Sequence, residues 1–339
     1  MQKRNLFKNI AGGATALALG IGMYAGLLAS ASAQTVKIGV IAPMTGAGAP
    51  WGMVAAEGPK ILAAEINAKG GLEVAGKKHK VEIIAYDDQY KAADAVAAYN
   101  RLVRQDGVKY MIILASPSAL ALKQNVEDDK IVALTAAASD KAVDGGTKYM
   151  FRAFSRPADF VPLFFGWVKD NIKERRVAII NPNDETGWDQ SKMAEKLLKQ
   201  HGFDVISNEL FERTQKDFSP LLTKIISQKP EVIELGSAVP ATAGVIIRQA
   251  RELGYKGKFI KSSGPGVKEL VASAGKESAE GLMNVLYADP TNKGYLRLAT
   301  EYKKTVGQDP NELIVCFYDA AAVLVRAIQK AGDINDTTK

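Results

Sequence analysis

Short apolar runs alternate with longer amphipathic segments in the first part of the chain. The runs are continuous in Val and Ile, which is typical of strands that are covered on both faces. The predicted strands are Val36–Ala42, Val81–Tyr86, Tyr110–Leu114 and Ile131–Thr135. The predicted helices are Met53–Ala68, Ala92–Gln105 and Ala119–Asp128. This alternation predicts a parallel sheet with right-handed crossovers.

The same alternation begins again after a glycine-containing pause at residues 144–146. The predicted strands are Arg176–Ile180, Asp204–Leu210, Val232–Leu235 and Lys258–Lys261, and the predicted helices are Asp189–Gln200, one that opens at Ser219-Pro220, and Ala241–Leu253. Ser219 suits the N-cap and Pro220 the first helical position. The fold class predicted is therefore α/β, with two doubly wound parallel-sheet lobes and a ligand cleft between them.

Ligands of such sheets bind at the carboxyl ends of the strands. The segments at these ends are rich in Gly, Ser, Ala and Pro, and they span residues 43–52, 87–88, 115–118, 136–140, 181–188, 236–240 and 262–266. Small side chains let backbone N–H groups and helix starts approach a ligand closely. This pattern suits an anion such as a carboxylate.

The first of these segments, Gly46–Gly52, superficially resembles a dinucleotide fingerprint. Its glycines are spaced one residue too far apart, and the acidic Glu65 falls inside a predicted helix instead of after the second strand. We therefore expect no nicotinamide cofactor. The favoured interpretation is a ligand loop with Trp51 as an aromatic wall, and packing of Trp51 between loop and helix is the alternative.

Residues 1–33 have the features of a secretory signal peptide. Lys3 and Arg4 precede an apolar stretch from Ala14 to Leu28, and Ala31-Ser32-Ala33 provides a cleavage site. A permanent anchor is the alternative, although the run is short for a bilayer, which needs about 20 apolar residues. The sequence predicts cleavage near Ala33 and a periplasmic protein.

Composition and charge exclude several classes of protein. The 339 residues are 47% hydrophobic and 24% charged, which fits a globular chain of two domains. Three of the seven net positive charges lie in the first 33 residues, and no basic cluster contains interleaved aromatic residues. We therefore expect no nucleic-acid partner. The single Cys316 cannot form an intrachain disulfide and is predicted to lie in the core.

Residues suited to catalysis are few. The two histidines, His79 and His201, are predicted to be solvated, and no nucleophile, zinc or phosphate-loop motif occurs. The pair Asp87-Asp88 favours a turn and capping role over acid–base work. Glu234 interrupts an apolar strand, so it is either on an edge strand, paired, or directed into the cleft. No catalytic residue, cofactor or metal site is predicted, and the protein is not expected to be an enzyme.

Ordered matches spread along the chain carry a resemblance to a known family. They are Val36–Val40 with Thr45-Gly46 and Trp51-Gly52, Glu65–Gly71, Tyr86–Asp88, Lys216–Ser219, Arg248–Arg251 and Ala279–Gly281. The chain resembles the branched-chain amino-acid (Leu/Ile/Val)-binding proteins of bacterial ABC transporters, of periplasmic binding protein type 1. The resemblance implies a protein that closes around an amino acid or related small carboxylate and delivers it to a membrane permease.

The resemblance also implies domain boundaries. The N-terminal lobe would comprise residues 34–153, the C-terminal lobe residues 154–286, and residues 287–339 would return to the N-terminal lobe. Crossings would fall near Arg152–Arg156 and Leu286–Asp289. The family runs on for several strands beyond residues 331–333, so the returning part is expected to be incomplete. A monomer is expected.

Seven ligand positions carry over from the family. They are the aromatic Trp51, the carboxylate-binding Ser116, Ala137 with a carbonyl for the ammonium, Ser139 with a hydroxyl, Thr186 and Ala238 where the family has Tyr, and Ser263 where amino-acid binders have Glu. Loss of that Glu is expected to weaken ammonium recognition.

The departures leave the ligand open. A carboxylic acid without an α-amine, such as an aromatic one, becomes plausible beside a branched-chain amino acid. Alternatively Glu234, Asp184 or Glu185 supplies a relocated acid. A sensory receptor and an extracytoplasmic enzyme are the alternative functions.

Overall fold

Two five-stranded parallel sheets form the centres of two lobes. The computed structural model describes residues 34–339, and the predicted signal peptide lies outside the described residues. Within that range the strands are β1 (Val36–Ala42), β2 (Leu72–Val74), β3 (Lys77–His79), β4 (Val81–Asp87), β5 (Tyr110–Ile113), β6 (Val132–Thr135), β7 (Met150–Arg152), β8 (Arg176–Pro182), β9 (Asp204–Phe211), β10 (Val232–Glu234), β11 (Lys258–Lys261) and β12 (Met283–Asn284).

Helices connect and cover these strands. Over the same residues they are α1 (Ala49–Ala68), α2 (Ala92–Asn100), α3 (Ser116–Asp128), α4 (Pro157–Asn171), α5 (Glu185–Gln200), α6 (Ser219–Ser227), α7 (Pro240–Glu252), α8 (Val267–Ala274), α9 (Lys293–Val306) and α10 (Leu313–Ala331). A π-helical turn, Arg101–Gln105, extends α2. Among residues 34–339, none of the helices is long and apolar enough to span a bilayer.

The strand orders of the two sheets match. They are β4-β1-β5-β6-β7 in the first sheet and β9-β8-β10-β11-β12 in the second. Every neighbouring pair in these sheets is parallel, whereas β2 and β3 form a separate antiparallel hairpin. The chain order reverses beside β1 and beside β8, and ligands bind at such reversals in doubly wound sheets. The predicted fold class is confirmed.

Helices cover both faces of each sheet, as the continuous apolar strands predict. In β1, Val40 belongs to the core cluster that includes Phe317 of α10, while the next residue, Ile41, packs with the cluster of α2 and α3. Ile180 and Ile179 of β8 divide in the same way between two clusters. Successive strand residues point to opposite faces, so each strand supports two cores.

The C-terminal helices pack on the first lobe. Phe317 and Ile314 of α10 lie in the core cluster built around β1 and α1. Gly58 of α1 permits this approach, because a Cβ there would lie 3.0 Å from the carbonyl oxygen of Ile314. The domain boundaries after residues 153 and 286 stay predictions.

Three predicted helices begin three or four residues earlier than their patterns indicate, and one of them is α3, which starts at Ser116 instead of Ala119. The structure starts α1 at Ala49 instead of Met53, and α5 at Glu185 instead of Asp189. Pro50 is compatible with a first helical turn, where its missing N–H is not needed. Trp51 and Thr186 therefore lie in the first turns of helices and not on loops.

The prediction that His79 is a solvated residue is wrong. His79 is 8% exposed, and its Nδ1 lies 2.7 Å from the carbonyl oxygen of Gln34, to which it can donate. The neighbouring Lys77 and Lys78 of β3 are exposed. His79 lies opposite Leu72 in the hairpin, where folding of the short strands places its ring in the interior.

Candidate functional site

A cavity lies between the lobes at the carboxyl ends of the strands. It contains about 590 Å³ of space free of protein atoms, part of which is open to solvent. The lining residues are mostly apolar, aromatic or hydroxyl-bearing: Trp51, Tyr90, Leu114, Ser116, Ala136, Ala138, Phe154, Ser155, Pro157, Thr186, Ser263, Gly264, Pro265, Tyr287 and Leu313.

Four of the seven predicted site residues line this cavity, and three lie elsewhere. The lining residues are Trp51, Ser116, Thr186 and Ser263. Ala137 is buried in the first-lobe core, and its carbonyl accepts from Arg152. Ser139 is buried and its Oγ donates to Asp189 across the lobes. Ala238 is buried in the second-lobe core. Their ligand roles stay predictions.

Trp51 joins the two lobes at the cavity wall. Its side chain is 5% exposed, and its Nε1 donates to the carbonyl oxygen of Pro265 at 3.0 Å. Gly264 lies against the ring at a φ of +79°, and a Cβ there would be 2.8 Å from Cζ2 of Trp51. The glycine therefore fits a position that needs both a left-handed backbone and no side chain.

Ser116 offers a hydrogen-bond donor to the cavity. It is the first residue of α3 and is 1% exposed. Its Oγ accepts from the backbone N–H groups of Ala138 at 3.0 Å and Ser139 at 3.2 Å. A hydroxyl that already accepts two hydrogen bonds still has its proton to donate. A carboxylate oxygen at this helix start would accept that proton.

In the described chain, no acidic side chain lines the cavity. Asp184 binds the guanidinium of Arg213 and caps α5 through Gly187. Glu234 is fully buried, and its Oε1 accepts from both N and Oγ of Ser262. Because β10 lies between β11 and β8, the edge-strand interpretation of Glu234 is wrong, and the paired interpretation is confirmed for this oxygen.

Lys261 holds the loop behind Ser263. Its Nζ donates to the carbonyl oxygens of Ser263 and Gly264 and lies 6.0 Å from the centroid of the Trp51 ring. Burial lowers the pKa of Lys261 to about 7, against the opposing influence of Glu234 and Glu312. Burial also raises the pKa of Glu234. An amine that carries its charge below about pH 7 therefore lies directly behind the cavity wall.

We expect the stability of the protein to depend on the titration of Lys261. A lysine whose pKa falls on folding holds its proton less tightly in the folded state, so stability rises with pH from about 7 towards 10.5 and is constant below that range. Urea unfolding at pH 7, 8 and 9 should show the wild type gaining about 1 kcal/mol per pH unit relative to Lys261→Met. A difference that stays constant with pH would contradict this assignment.

Sequence reasoning missed three aromatic lining residues, Tyr90, Phe154 and Tyr287. Tyr90 lies two residues after Asp88, and the backbone N–H of Tyr90 donates to Oδ1 of Asp88. The backbone of Tyr90 has a φ of +65°. Tyr287 accepts from the N–H of Gly264 at 3.2 Å. Tyr287 and Phe154 had a signal in the sequence, because they lie in the predicted crossings near Leu286–Asp289 and Arg152–Arg156, whereas Tyr90 had none.

A second groove adjoins the cavity at Tyr90, which lines both spaces. The groove runs between the lobes and carries four cationic side chains, Lys91, Arg213, Lys216 and Arg248. The guanidinium carbon of Arg213 lies 3.8 Å from the centroid of the Tyr90 ring. Arg213 is paired with Asp184, and Lys91 and Arg248 lie within 4 Å of Asp94 and Glu252, so Lys216 is the one groove cation without an acidic partner in the described chain.

The site shows no constellation for metal binding: over residues 34–339, no group of three or more His, Cys, Asp or Glu side chains is placed to hold an ion. Asp87 and Asp88 stabilise the turn that follows β4. Asp87 accepts from the N–H groups of Met44 and Gln89, each at 2.8 Å, and Asp88 accepts from Ser118 at 2.6 Å. The arrangement is that of a binding cavity.

Proteins of known name are similar to this one over most of its length. The Leu/Ile/Val-binding protein of Escherichia coli (strain K12) is 31% identical over 255 residues, which are 75% of this chain and 68% of that protein. The leucine-, isoleucine-, valine-, threonine-, and alanine-binding protein of Pseudomonas aeruginosa is 27% identical over 311 residues, 90% of this chain and 80% of that protein. These names are those of binding proteins rather than enzymes.

A solved structure supports the same relationship. The crystal structure of a leucine-binding protein from Thermotoga maritima matches with a TM-score of 0.77 and 26% identity, covering 89% of this chain and 85% of that one. Residues 35–339 match the family described as periplasmic binding protein. This match covers the entire described chain except its first residue. The chain belongs to the periplasmic binding protein family.

Proposed function

We propose that this protein is the extracytoplasmic receptor of an ABC transporter and that it binds a small, largely apolar carboxylate by closing its two lobes. The observation that carries the proposal is the cavity between the lobes, which combines aromatic walls with the Ser116 donor and, in the described chain, has no acid in its lining.

The lining favours an acid without an α-amine. An amino acid brings an ammonium group that must leave water when the lobes close. Without a charged partner in the cavity, the buried ammonium loses a hydrogen bond that contributes about 1.5–3 kcal/mol to the free energy of binding. Below about pH 7, a charged Lys261 behind the wall formed by Ser263 would add repulsion. A branched-chain amino acid is the second candidate, because the relatives carry names of such binders.

Calorimetric titration with leucine and 4-methylpentanoate separates the two candidates, because these compounds differ only in the α-amine. We expect 4-methylpentanoate to bind at least tenfold more tightly than leucine, since only leucine must bury its ammonium without an acid. Benzoate serves as the aromatic member of the same series. Tighter binding of leucine than of 4-methylpentanoate would reject the amine-free ligand.

Delivery and export are tested with the same compounds. Cells that lack the chain should lose uptake of the acid that binds best, and the mature protein should begin near Gln34 in the periplasmic fraction. Uptake that persists alongside tight binding in vitro would favour a sensory receptor. Chemical turnover of the bound acid would favour an enzyme.

A further inference from the structure

The end of β8 and the first turns of α5 contain buried polar atoms without hydrogen-bond partners. Within residues 34–339, Thr186 Oγ1, Gln190 Oε1, Ser191 Oγ and Asn181 Nδ2 are buried without a partner. All four residues are at most 6% exposed. A buried polar group without a partner costs free energy comparable to its desolvation. Four such atoms within eleven residues indicate that a bound molecule supplies hydrogen-bonding groups there when the lobes are closed.

Two of these side chains lie on one face of the helix that begins at the cavity. Thr186 lines the cavity, and Gln190 is four residues further along α5, on the same face of the helix. Asn181 is near the end of β8, and its Oδ1 already accepts from N and Oγ of Ser237 at 2.9 and 3.1 Å. Its amide nitrogen is therefore left to donate elsewhere.

The four side chains are neutral and include both donors and acceptors, and a further unpartnered atom, Nη2 of Arg213, belongs to the guanidinium that binds Asp184. The hydroxyl of Thr186 can donate or accept, the amide nitrogen of Asn181 donates, and the amide oxygen of Gln190 accepts. The nearby acids are engaged: Asp184 binds Arg213, and Asp189 binds Ser139 and Lys141. A carboxylate only accepts and could not satisfy Gln190, and an apolar group would satisfy none of them. A hydroxyl both donates and accepts.

We infer that α5 carries a hydroxyl-recognising subsite and that the ligand class is a small carboxylate bearing a hydroxyl group. The inference rests on the proposed function and deepens it. The first lobe takes the carboxylate at Ser116, and the second lobe takes the hydroxyl at Thr186, with Gln190 and Asn181 behind it. The selectivity of the protein for its solute then resides largely in the second lobe.

Calorimetry with benzoate, 3-hydroxybenzoate and 4-hydroxybenzoate tests the subsite. We expect at least one hydroxybenzoate to bind wild type tenfold or more tightly than benzoate. In Thr186→Val, which preserves shape and removes the hydroxyl, that ratio should fall below threefold. Thr223→Val is the matched control, because this exposed threonine of α6 bonds only the carbonyl of Ser219 in its own helix. Ser116→Ala should weaken all three acids and keep their ratio.

The outcomes are distinguishable. If benzoate binds and neither hydroxybenzoate gains more than threefold, water satisfies these atoms and the subsite is wrong, while the proposed function stands. If Thr186→Val weakens benzoate and the hydroxybenzoates equally, Thr186 binds the carboxylate and the subsite is again wrong. If no carboxylate in this series or among the aliphatic acids binds, both the subsite and the proposed function are rejected.

Discussion

Replacing Gly187 by alanine is expected to lower the free energy of unfolding by about 3 kcal/mol or more, at the upper end of the usual cost of overpacking. A Cβ on Gly187 would lie 1.7 Å from the carbonyl oxygen of Pro182 and 2.7 Å from its carbonyl carbon. Both contacts are with backbone, so no side chain can rotate away. The first turn of α5 would have to move off the end of β8.

Gly166→Ala is the matched control for this substitution. Gly166 lies inside α4, and the nearest atom to an added Cβ is on the His201 side chain at 3.5 Å, an ordinary contact. Alanine there should raise stability by about 0.5–1 kcal/mol, because it restricts the unfolded chain and favours helix. Urea unfolding of both variants provides the measurement. A Gly187→Ala protein within 1 kcal/mol of wild type would show that α5 does not begin against β8.

The first lobe uses the same device. Gly52 lies in the first turns of α1, and a Cβ there would be 2.1 Å from the carbonyl oxygen of Pro43, which follows β1. Each lobe thus has a proline at the end of its first strand and a glycine in the next helix, packed against each other. Close packing here brings the two helix starts, with Trp51 and Thr186, to the rim of the cavity. The two lobes therefore share both their strand order and this contact between the end of the first strand and the next helix.

The central strands β1, β5 and β8 could be predicted because both of their faces are buried and their residues are almost continuously apolar. Residues 110–113 of β5 are all buried, for example. Short β7 and β12 gave no such pattern, since they have three and two residues and include the polar Arg152 and Asn284. The helix starts were missed because Gly52 and Gly187 resemble loop residues. Their role is a close approach between backbones, which depends on tertiary packing.

The site was only partly predictable for a related reason. Ser116 and Ser263 follow strands directly, so the rule of carboxyl ends finds them. Tyr90 and Phe154 line the cavity through the placement of irregular segments between elements, which no periodicity encodes. The unmet atoms of Asn181 and Gln190 are likewise invisible in sequence, because a lack of hydrogen-bond partners is a property of the folded chain.

Trp51→Ala is expected to weaken binding of the tightest acid in the titration series at least 100-fold. The indole forms the wall of the cavity and donates from Nε1 to Pro265 of the other lobe. Large aromatic residues in desolvated contacts dominate the energy of such interfaces. Alanine removes the wall and the only hydrogen bond that Trp51 makes between its side chain and the second lobe in the described chain.

Trp51 also belongs to the core cluster of the first lobe, so we expect a loss of stability alongside the loss of affinity, and the affinities are compared at a temperature where wild type and variant are both folded. Trp51→Phe keeps an aromatic wall and loses the N–H donor, so we expect an intermediate loss of about tenfold, the equivalent of one hydrogen bond. Calorimetry gives the affinities, and X-ray scattering should show that the alanine variant no longer contracts on addition of the acid. Trp51→Ala binding within threefold of wild type would mean that the two lobes do not close on this side chain, and the ligand would then have to lie elsewhere in the cleft.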